Sequence, residues 1–222
     1  MKQRYLLVGW LVVALACASL AGWTATLTDS TAPLEGKGVF TQETTLGNLV
    51  ADALRQTANA ELALVNASQM RPVTLPAGAI SDDQVPAALA YPDEEIALVR
   101  LKGATVLALL ERGLSVLPQP NKGFLQVSGL VVRFDSRRAG GSRIVEAHIG
   151  GQPLVESRDY KVALPLSLAK GSGGYFTIMG SAAVSPLGTT QQQAVSSFLS
   201  SRGTASARAD SPRLEDLAKA SQ

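Results

Sequence analysis

Histidine and cysteine are almost absent from this chain: its 222 residues include one His and one Cys. A zinc site or a two-metal centre needs several His, Cys or carboxylate ligands at suitable spacing. His148, the single histidine, lies in an alternating stretch that predicts a strand, so we expect it at the surface or at a rim. The scarcity of ligands excludes a zinc site and a histidine-rich two-metal centre, and we expect no cofactor.

Groups for metal-free hydrolysis are also scarce. The acidic pairs Asp82-Asp83 and Glu94-Glu95 are neighbours in the sequence, and adjacent side chains do not converge on one point, which favours helix capping and solvation. Ser172 is not part of a Gly-x-Ser-x-Gly motif. We therefore expect no catalytic residue in this chain, and a free-standing hydrolase is the least favoured function.

Charge is sparse and balanced. Charged residues make up 17% of the chain, and Lys2 and Arg4 account for its whole net charge of +2. A nucleic-acid-binding protein needs a clustered basic face, whereas the one tight basic pair, Arg137-Arg138, precedes two glycines and is typical of a solvated hairpin tip. We expect no nucleic-acid partner. The 46% of hydrophobic residues suffices for a sizeable core.

The first 22 residues form a targeting segment. A basic start, an apolar run from Tyr5 to Leu15 and then small residues predict a signal peptide. Cys17, the only cysteine, follows Ala14-Leu15-Ala16, which resembles a bacterial lipobox and makes Cys17 a candidate lipidation site. Three outcomes stay open: ordinary cleavage, a lipoprotein, or an uncleaved anchor over 5–22. Each predicts an exported bacterial protein of the periplasm or cell envelope, with membrane attachment in the last two.

Periodicity divides the rest of the chain. We expect a linker over 23–37, one domain over 38–203 and a flexible tail over 204–222 with one short exposed helix after Ser211-Pro212. Helical spacing predicts helices over 43–58, 81–89, 104–117 and 189–202. Strand patterns cover 61–65, 95–101, 124–134, 143–149 and 160–166. The mixture predicts an α+β (mixed α/β) fold with layered helices and mixed or antiparallel sheets.

A glycine-rich stretch, 170–176, follows the last predicted strand. It lacks the spacing of a Walker loop or a dinucleotide fingerprint, and taken alone it is typical of a tight connection. Polar and aromatic residues elsewhere complete a candidate binding constellation: Asn66 follows a buried strand, Arg71 offers a planar donor fork for phosphate or carboxylate, and Tyr91 offers a flat face for a base. Each of these residues has a structural alternative, as a surface charge or a core aromatic.

Five segments, in order, resemble the C-terminal domain of bacterial and animal 5′-nucleotidases. They are residues 43–55, 60–71, 98–103, 124–130 and 170–175. The resemblance, over about 42–176, implies that family's fold and a substrate-binding role, because in the family the two metals and the hydrolysis belong to a separate N-terminal domain. It also implies site residues: Asn66 and Arg71 match nucleotide contacts, Tyr91 matches a base-stacking aromatic, and the loop backbone lines the pocket at Gly171, Gly173 and Gly174.

Several positions depart from the family pattern. Gln42 stands where the family usually has an arginine that contacts the phosphate side, and Ser167 stands where a second aromatic stacks on the base. Gly173 replaces the aspartate that binds ribose, and Ala67-Ser68 replaces two glycines. These changes weaken the prediction of strong nucleotide binding.

Two functions remain from this comparison. The first is an exported domain that binds a nucleotide or nucleoside and takes part in nucleotide catabolism through a separate metallophosphatase subunit. The alternative is a degenerate domain that serves as a non-enzymatic protein-interaction module in the cell envelope.

Overall fold

The computed structural model describes residues 25–180, 182–202 and 212–220. Within these residues the strands are β1 Thr26–Ser30, β2 Leu34–Glu35, β3 Leu62–Asn66, β4 Thr74–Leu75, β5 Gly78–Ser81, β6 Glu95–Lys102, β7 Leu125–Ser128, β8 Leu130–Phe134, β9 Ile144–Ile149, β10 Gln152–Pro153, β11 Asp159–Pro165, β12 Val184–Thr190 and β13 Leu214–Asp216. The α-helices are α1 Thr45–Thr57, α2 Gln84–Ala88, α3 Gly103–Leu114, α4 Leu166–Ala169, α5 Phe176–Met179, α6 Gln191–Ser200 and α7 Leu217–Ala220, and Ala67–Gln69 forms a 3-10 turn.

The central sheet has five strands in the order β12-β6-β11-β3-β7. β11 runs parallel to β3 and antiparallel to β6, whereas β7 is antiparallel to β3 and β12 is antiparallel to β6. Every residue of β3 and β7 is buried. A near-continuous apolar strand such as Leu62 to Val65 is typical of a position covered on both faces. The mixed sheet confirms the predicted fold class.

Helix α1 packs on this sheet. Its apolar residues recur at helical spacing, and they include Leu46, Val50 and Leu54, each 1% exposed or less. Thr44 caps the helix, because its Oγ1 accepts a hydrogen bond from the Gly47 N–H at 3.0 Å. The other face of α1 packs against α6, whose N-terminus carries the predicted capping box of Thr190 and Gln193. Both helices are confirmed, with their ends within a few residues of the prediction.

The expectation of one strand over 124–134 was wrong in a specific way. The chain forms two strands there, and they belong to different sheets: β7 completes the central sheet, whereas β8 enters a four-stranded sheet of order β10-β9-β8-β13. Gly129 makes the corner with φ of +76°, and a Cβ at this position would lie 2.2 Å from Glu61 O. Only glycine fits both the positive φ and the close approach.

The expected linker over 23–37 is structured in its described part. β1 pairs antiparallel with β5, and β2 pairs antiparallel with β4. The small and polar residues of this stretch hid the pattern, because short edge strands need few apolar side chains. In addition, Gly36 N–H donates to Val73 O at 2.8 Å. The segment therefore forms part of the domain.

The C-terminal segment also differs from the expected flexible tail. Residues 214–216 form β13, which pairs parallel with β8, and the expected helix is limited to α7 at Leu217–Ala220. Arg213 anchors this strand: its Nη1 and Nη2 each donate to the Asp52 carboxylate at 2.9 Å. The Glu43 carboxylate accepts the N–H groups of Arg213 and Leu214. Contacts between residues so far apart in the chain leave no local signal in the sequence. The rest of the predicted tail, 204–211 and 221–222, lies outside the described residues.

The predicted signal peptide and Cys17 also lie outside the described residues. Among the helices of the described part, none is long and apolar enough to cross a membrane.

Candidate functional site

The segment after β3 carries the first two predicted site residues. Asn66 is 2% exposed, its Nδ2 donates to Ser68 Oγ, and its Oδ1 has no hydrogen-bond partner in the described part of the chain. Arg71 is exposed, but its Nε donates to Leu89 O at 3.0 Å and its N–H donates to Ala88 O at 2.9 Å. The guanidinium is therefore held at the C-terminal end of α2, where the negative end of the helix dipole favours it.

Tyr91 lies on the loop that follows α2, and its side chain is 57% exposed. The backbone of this loop is fixed: Tyr91 O accepts the Glu94 N–H at 3.1 Å and the Gln191 Nε2 at 3.3 Å. The sequence alternative of a half-buried core aromatic was wrong. An aromatic ring on a fixed loop presents a flat face to solvent at little conformational cost.

Ser167, the position where the resemblance expects an aromatic, is tied into the same region. Its N–H donates to Glu94 Oε1 at 2.6 Å, and its Oγ accepts Gln69 Nε2 at 3.1 Å. Glu94 was expected to be a solvated charge, but it is half-buried and joins the Tyr91 loop to the start of α4. Its carboxylate satisfies a free N–H in the first turn of α4, which is a usual role for an acid at a helix start.

Two glutamines that the sequence analysis missed complete this polar network. Gln191, fully buried, donates from Nε2 to Gln69 Oε1 at 2.8 Å as well as to Tyr91 O. Gln69 is 3% exposed. Gln191 Oε1 has no partner among the described residues. A single glutamine carries no motif, so no sequence signal separates these two from surface glutamines.

The glycine loop adjoins Ser167. Ser172 N–H donates to Ser167 O at 2.9 Å, and Tyr175 N–H donates to Gly171 O at 3.0 Å. Gly171, Gly173 and Gly174 have φ values of +89°, +72° and +87°, a region that favours glycine. The loop is thus a tight turn, as its composition alone predicts, and Ser167 connects it to Glu94 of the Tyr91 loop.

The two aromatics that close the loop differ in environment. Tyr175 is buried and its hydroxyl donates to Gly123 O, whereas Phe176 is 73% exposed. Burial raises the pKa of Tyr175 well above its ordinary value, and the positive charge of Arg112, 5.9 Å from the ring centroid, opposes this shift. Tyr175 holds the loop on the core, and Phe176 is exposed on its surface.

The predicted site residues after β3 and around the two loops form one cluster, which we call the loop cluster: Asn66 to Arg71, the Tyr91 loop with Glu94, Ser167 and the glycine loop at 170–175. Gln69 joins its first part to the others, since Gln69 O accepts the Ala90 N–H at 2.8 Å. The cluster offers an exposed aromatic face, a guanidinium and exposed glycine backbone. Such groups suit the binding of a small ligand. In the described part of the chain, no three His, Cys, Asp or Glu residues are grouped so that they could hold a metal ion.

Gln42 forms no hydrogen bond with the loop cluster in the described part of the chain. Its backbone O accepts Gln126 Nε2 at 2.8 Å, and its side chain lies close to Gly38, where a Cβ would be 2.7 Å from Gln42 Nε2. Gln42 instead lines a cavity of about 730 Å³ between the start of α1 and the C-terminal segment. Apolar groups dominate its wall, which includes Leu117, Phe124 and Leu214, and no other predicted site residue lines it.

Comparison with known proteins identifies the family of the chain. A family model described as "5'-nucleotidase, C-terminal domain" matches residues 24–180, which is well over half of the chain. The chain belongs to this family. The match includes the whole loop cluster and every strand of the two larger sheets except β12 and β13.

Curated relatives of the domain are longer proteins. A 5′-nucleotidase from Diplobatis ommata is 28% identical over 130 residues, covering 55% of this chain and 22% of that protein. An apyrase from Aedes albopictus is 29% identical over 161 residues, covering 66% of this chain and 28% of that protein. The chain therefore spans about a quarter of the length of these relatives.

Solved structures show the same framework. A 5′-nucleotidase precursor from Thermus thermophilus superposes with a TM-score of 0.79 at 28% identity, over 86% of this chain and 39% of that one. The Haemophilus influenzae NAD nucleotidase superposes with a TM-score of 0.76 at 14% identity, over 87% and 38%, and this likeness concerns the fold alone.

Proposed function

We propose that this 5′-nucleotidase C-terminal domain binds a nucleotide or nucleoside at the loop cluster. The observation that carries the proposal is the Tyr91 ring, 57% exposed on a loop whose backbone is held by Glu94 and Gln191. A base stacked on such a ring gains about 1–3 kcal/mol. Arg71, fixed beside α2 through its Nε, keeps a guanidinium available for the phosphate or ribose oxygens.

The same geometry limits the affinity. Ser167 gives no second aromatic face, and its hydroxyl is already engaged by Gln69. Gly173 gives no carboxylate for a ribose, although a Cβ there would meet nothing closer than the Tyr175 ring at 3.7 Å. We therefore propose a site that takes the base on one face only and binds more weakly than a site with both missing groups.

We further propose that the protein is exported and works beside a separately supplied metallophosphatase. The match to the C-terminal domain of longer nucleotidases supports this, together with the single histidine and the basic-apolar start of the chain. In this arrangement the domain presents the substrate and the partner supplies the metals. Phosphate release from AMP by the purified protein alone, with divalent metal added, would contradict the division of labour.

Calorimetry with AMP, adenosine and UDP-glucose tests the binding proposal. We expect weak saturable heat with at least one of them, and we expect Tyr91→Ala to abolish it. Absence of heat with all three, together with an unaltered melting temperature, would overturn the proposal.

The site also permits a gain-of-function test. Gly173→Asp adds a carboxylate at a position where the Cβ would meet only the Tyr175 ring, at 3.7 Å, although the φ of +72° adds about 1 kcal/mol of strain. We expect it to tighten adenosine binding. Gly141→Asp, in the turn between β8 and β9, is the control, because Gly141 also has a positive φ, +91°, and nothing within 4 Å of its Cβ position. Equal affinities for the two variants would argue against a ribose site at 173.

A protein-interaction module in the cell envelope is the second candidate. The exposure of Phe176 at 73%, together with that of Tyr91, favours it, since large exposed aromatics are enriched in protein interfaces. Purification from the envelope fraction distinguishes the candidates. A stoichiometric partner that is lost with Phe176→Ser would support the module, whereas a lone monomer would oppose it.

A further inference from the structure

A second cavity, of about 400 Å³, lies away from the loop cluster. We call it the basic cleft. Its wall is formed by the C-terminal ends of α1 and α6, the β7–β8 corner and the β9–β10 turn, and the lining residues used below are Asp52, Arg55, Ser128, His148, Arg202 and Arg213. Three arginines face one acid here, so the cleft is positive in a protein whose overall charge is nearly balanced.

The single acid of the cleft is already taken. Arg213 engages both oxygens of Asp52 at 2.9 Å. Arg55 and Arg202 form no ion pair with any residue in the described part of the chain. The cleft thus keeps two uncompensated positive charges, and a concave wall concentrates their field.

Both of these guanidiniums are held in place. Arg55 Nε donates to Ser128 Oγ at 2.7 Å, and its stem crosses the β7–β8 corner, where a Cβ on Gly129 would be 2.9 Å from Arg55 Cδ. Ser128 Oγ in turn donates to Asp52 Oδ1 at 2.5 Å. Arg202 lies with its Cζ 4.1 Å from the centroid of the Phe198 ring. Fixed guanidiniums lose little entropy when they bind an anion, and their Nη atoms remain as donors.

Helix dipoles account for part of this arrangement. Arg55 is in the last turn of α1 and Arg202 follows α6, so each is favoured at its own helix end. The dipoles do not explain why the two arginines line one cavity together with the partly exposed His148 and the glycine turn at 150–151. The packing of α1 against α6 brings the two charges to one place.

We propose that the basic cleft binds a phosphate-class oxyanion, either free phosphate or the terminal group of a phosphomonoester. A doubly charged tetrahedral anion matches two unpaired guanidinium charges, and each planar fork can donate to it in bidentate fashion. The volume of about 400 Å³ is at the lower end of small-ligand sites. The site is independent of the proposed nucleotide site, because it shares no residue with the loop cluster.

Amide NMR titrations with inorganic phosphate and with glycerol 1-phosphate, at low ionic strength and pH 8, test the proposal. We expect saturable shifts around Ser128, Gly129 and Gly151, with chloride at equal ionic strength giving none. If only inorganic phosphate causes these shifts, the ligand is the free anion. If both compounds cause them, the cleft recognises the phosphoryl group that they share. Without saturable shifts from either ligand the proposal is overturned.

Variants assign the binding to the two arginines. Arg55→Gln and Arg202→Gln are each expected to weaken phosphate binding about tenfold, the loss of a charge-assisted hydrogen bond. Arg100→Gln, an exposed arginine on β6, is the charge-matched control and should bind within about twofold of the parent. Arg55→Lys is a further variant that keeps the positive charge. A native NMR spectrum shows for each variant that the protein still folds.

Equal affinities for Arg55→Gln, Arg202→Gln and Arg100→Gln would overturn the proposal. Tyr91→Ala separates this site from the nucleotide site. It should abolish adenosine binding and leave phosphate binding at the cleft unchanged.

Discussion

Gln69 and Ser167 are 98 positions apart in the chain, yet the Gln69 amide donates to Ser167 Oγ at 3.1 Å. Ser167 occupies the position where the 5′-nucleotidase resemblance expects a stacking aromatic. The smaller side chain takes part in a buried amide network at this position. At position 167 the chain therefore has a member of the polar network where the resemblance expects an aromatic ring. Substitutions of the network's members test what the network contributes.

The first prediction concerns Gln191, the fully buried member of this network. Gln191→Leu leaves Gln69 Oε1 without its donor, whereas Tyr91 O keeps its hydrogen bond from the Glu94 N–H. A buried acceptor without a partner should lower the free energy of unfolding by about 1–3 kcal/mol. Urea denaturation measures this, with Gln192→Leu, at a partly exposed neighbour, as the control. Equal midpoints for the two variants would show that the network does not stabilise the fold.

The second prediction concerns Tyr175 in alkaline solution. Its folded-state pKa is raised by burial, so the folded protein keeps the proton while the unfolded chain releases it above about pH 10. Stability should therefore fall as the pH rises above about 10. Tyr175→Phe removes this pH dependence but also removes the hydrogen bond to Gly123 O, at a cost of about 1 kcal/mol at neutral pH. Denaturation at pH 8 and pH 11 measures the pH dependence and the cost of the lost hydrogen bond. If stability falls between these pH values by the same amount in Tyr175→Phe as in the parent, Tyr175 is not the source of the pH dependence.

The third prediction concerns the carboxyl group of Asp135. Its hydrogen bonds with the Arg137 side chain lower its pKa from an ordinary 3.8 to about 2. Because the folded-state pKa is lowered, this contribution to stability is present above pH 3.8 and is lost as the pH falls through about 2. Arg137→Gln should return the pKa towards its ordinary value, as an NMR titration of the carboxyl carbon would show. Arg138→Gln removes a weaker, purely coulombic effect and should change the pKa less.

The fourth prediction concerns the anchor of β13. Arg213→Met removes both hydrogen bonds to Asp52, whose side chain is 22% exposed, and should lower the free energy of unfolding by about 2 kcal/mol. Val132 N–H donates to Arg213 O at 2.7 Å, so its hydrogen exchange should accelerate about tenfold or more. Arg158→Met breaks a more exposed pair with Glu61 and serves as the control. Unchanged protection of Val132 in Arg213→Met would show that β13 is held by its backbone pairing alone.

Local patterns predicted most of the secondary structure. The helices α1 and α6, the strand that ends at Asn66 and the Gly150-Gly151 hairpin each follow from spacing, caps or turn residues within a few positions. What the sequence did not predict depends on contacts between distant positions. β13 depends on Asp52 and Glu43, and the division of 124–134 between two sheets depends on the close approach of Gly129 to Glu61 O.

Some features of the candidate site could likewise be predicted from local sequence, and others could not. The exposure of Arg71 and the tight glycine turn follow from residue type and position. The roles of Glu94, Gln69 and Gln191 do not, because a carboxylate that accepts a distant N–H and a buried amide pair have no signature in the sequence. Gln42 has a clear place in the family pattern, and in the structure its contacts are with Gly38 and Gln126.

The central position of β11 has a consequence for biosynthesis. Its residues, Asp159 to Pro165, lie between β3 and β6, which leave the ribosome many residues earlier. In a nascent chain that ends before residue 159, β3 and β6 each lack β11 as a hydrogen-bonding neighbour. Unpaired strand edges of this kind promote aggregation. Folding of the domain therefore waits until most of it has been translated. A chaperone that covers apolar strands would act on the chain that precedes Asp159, before the central strand closes the sheet.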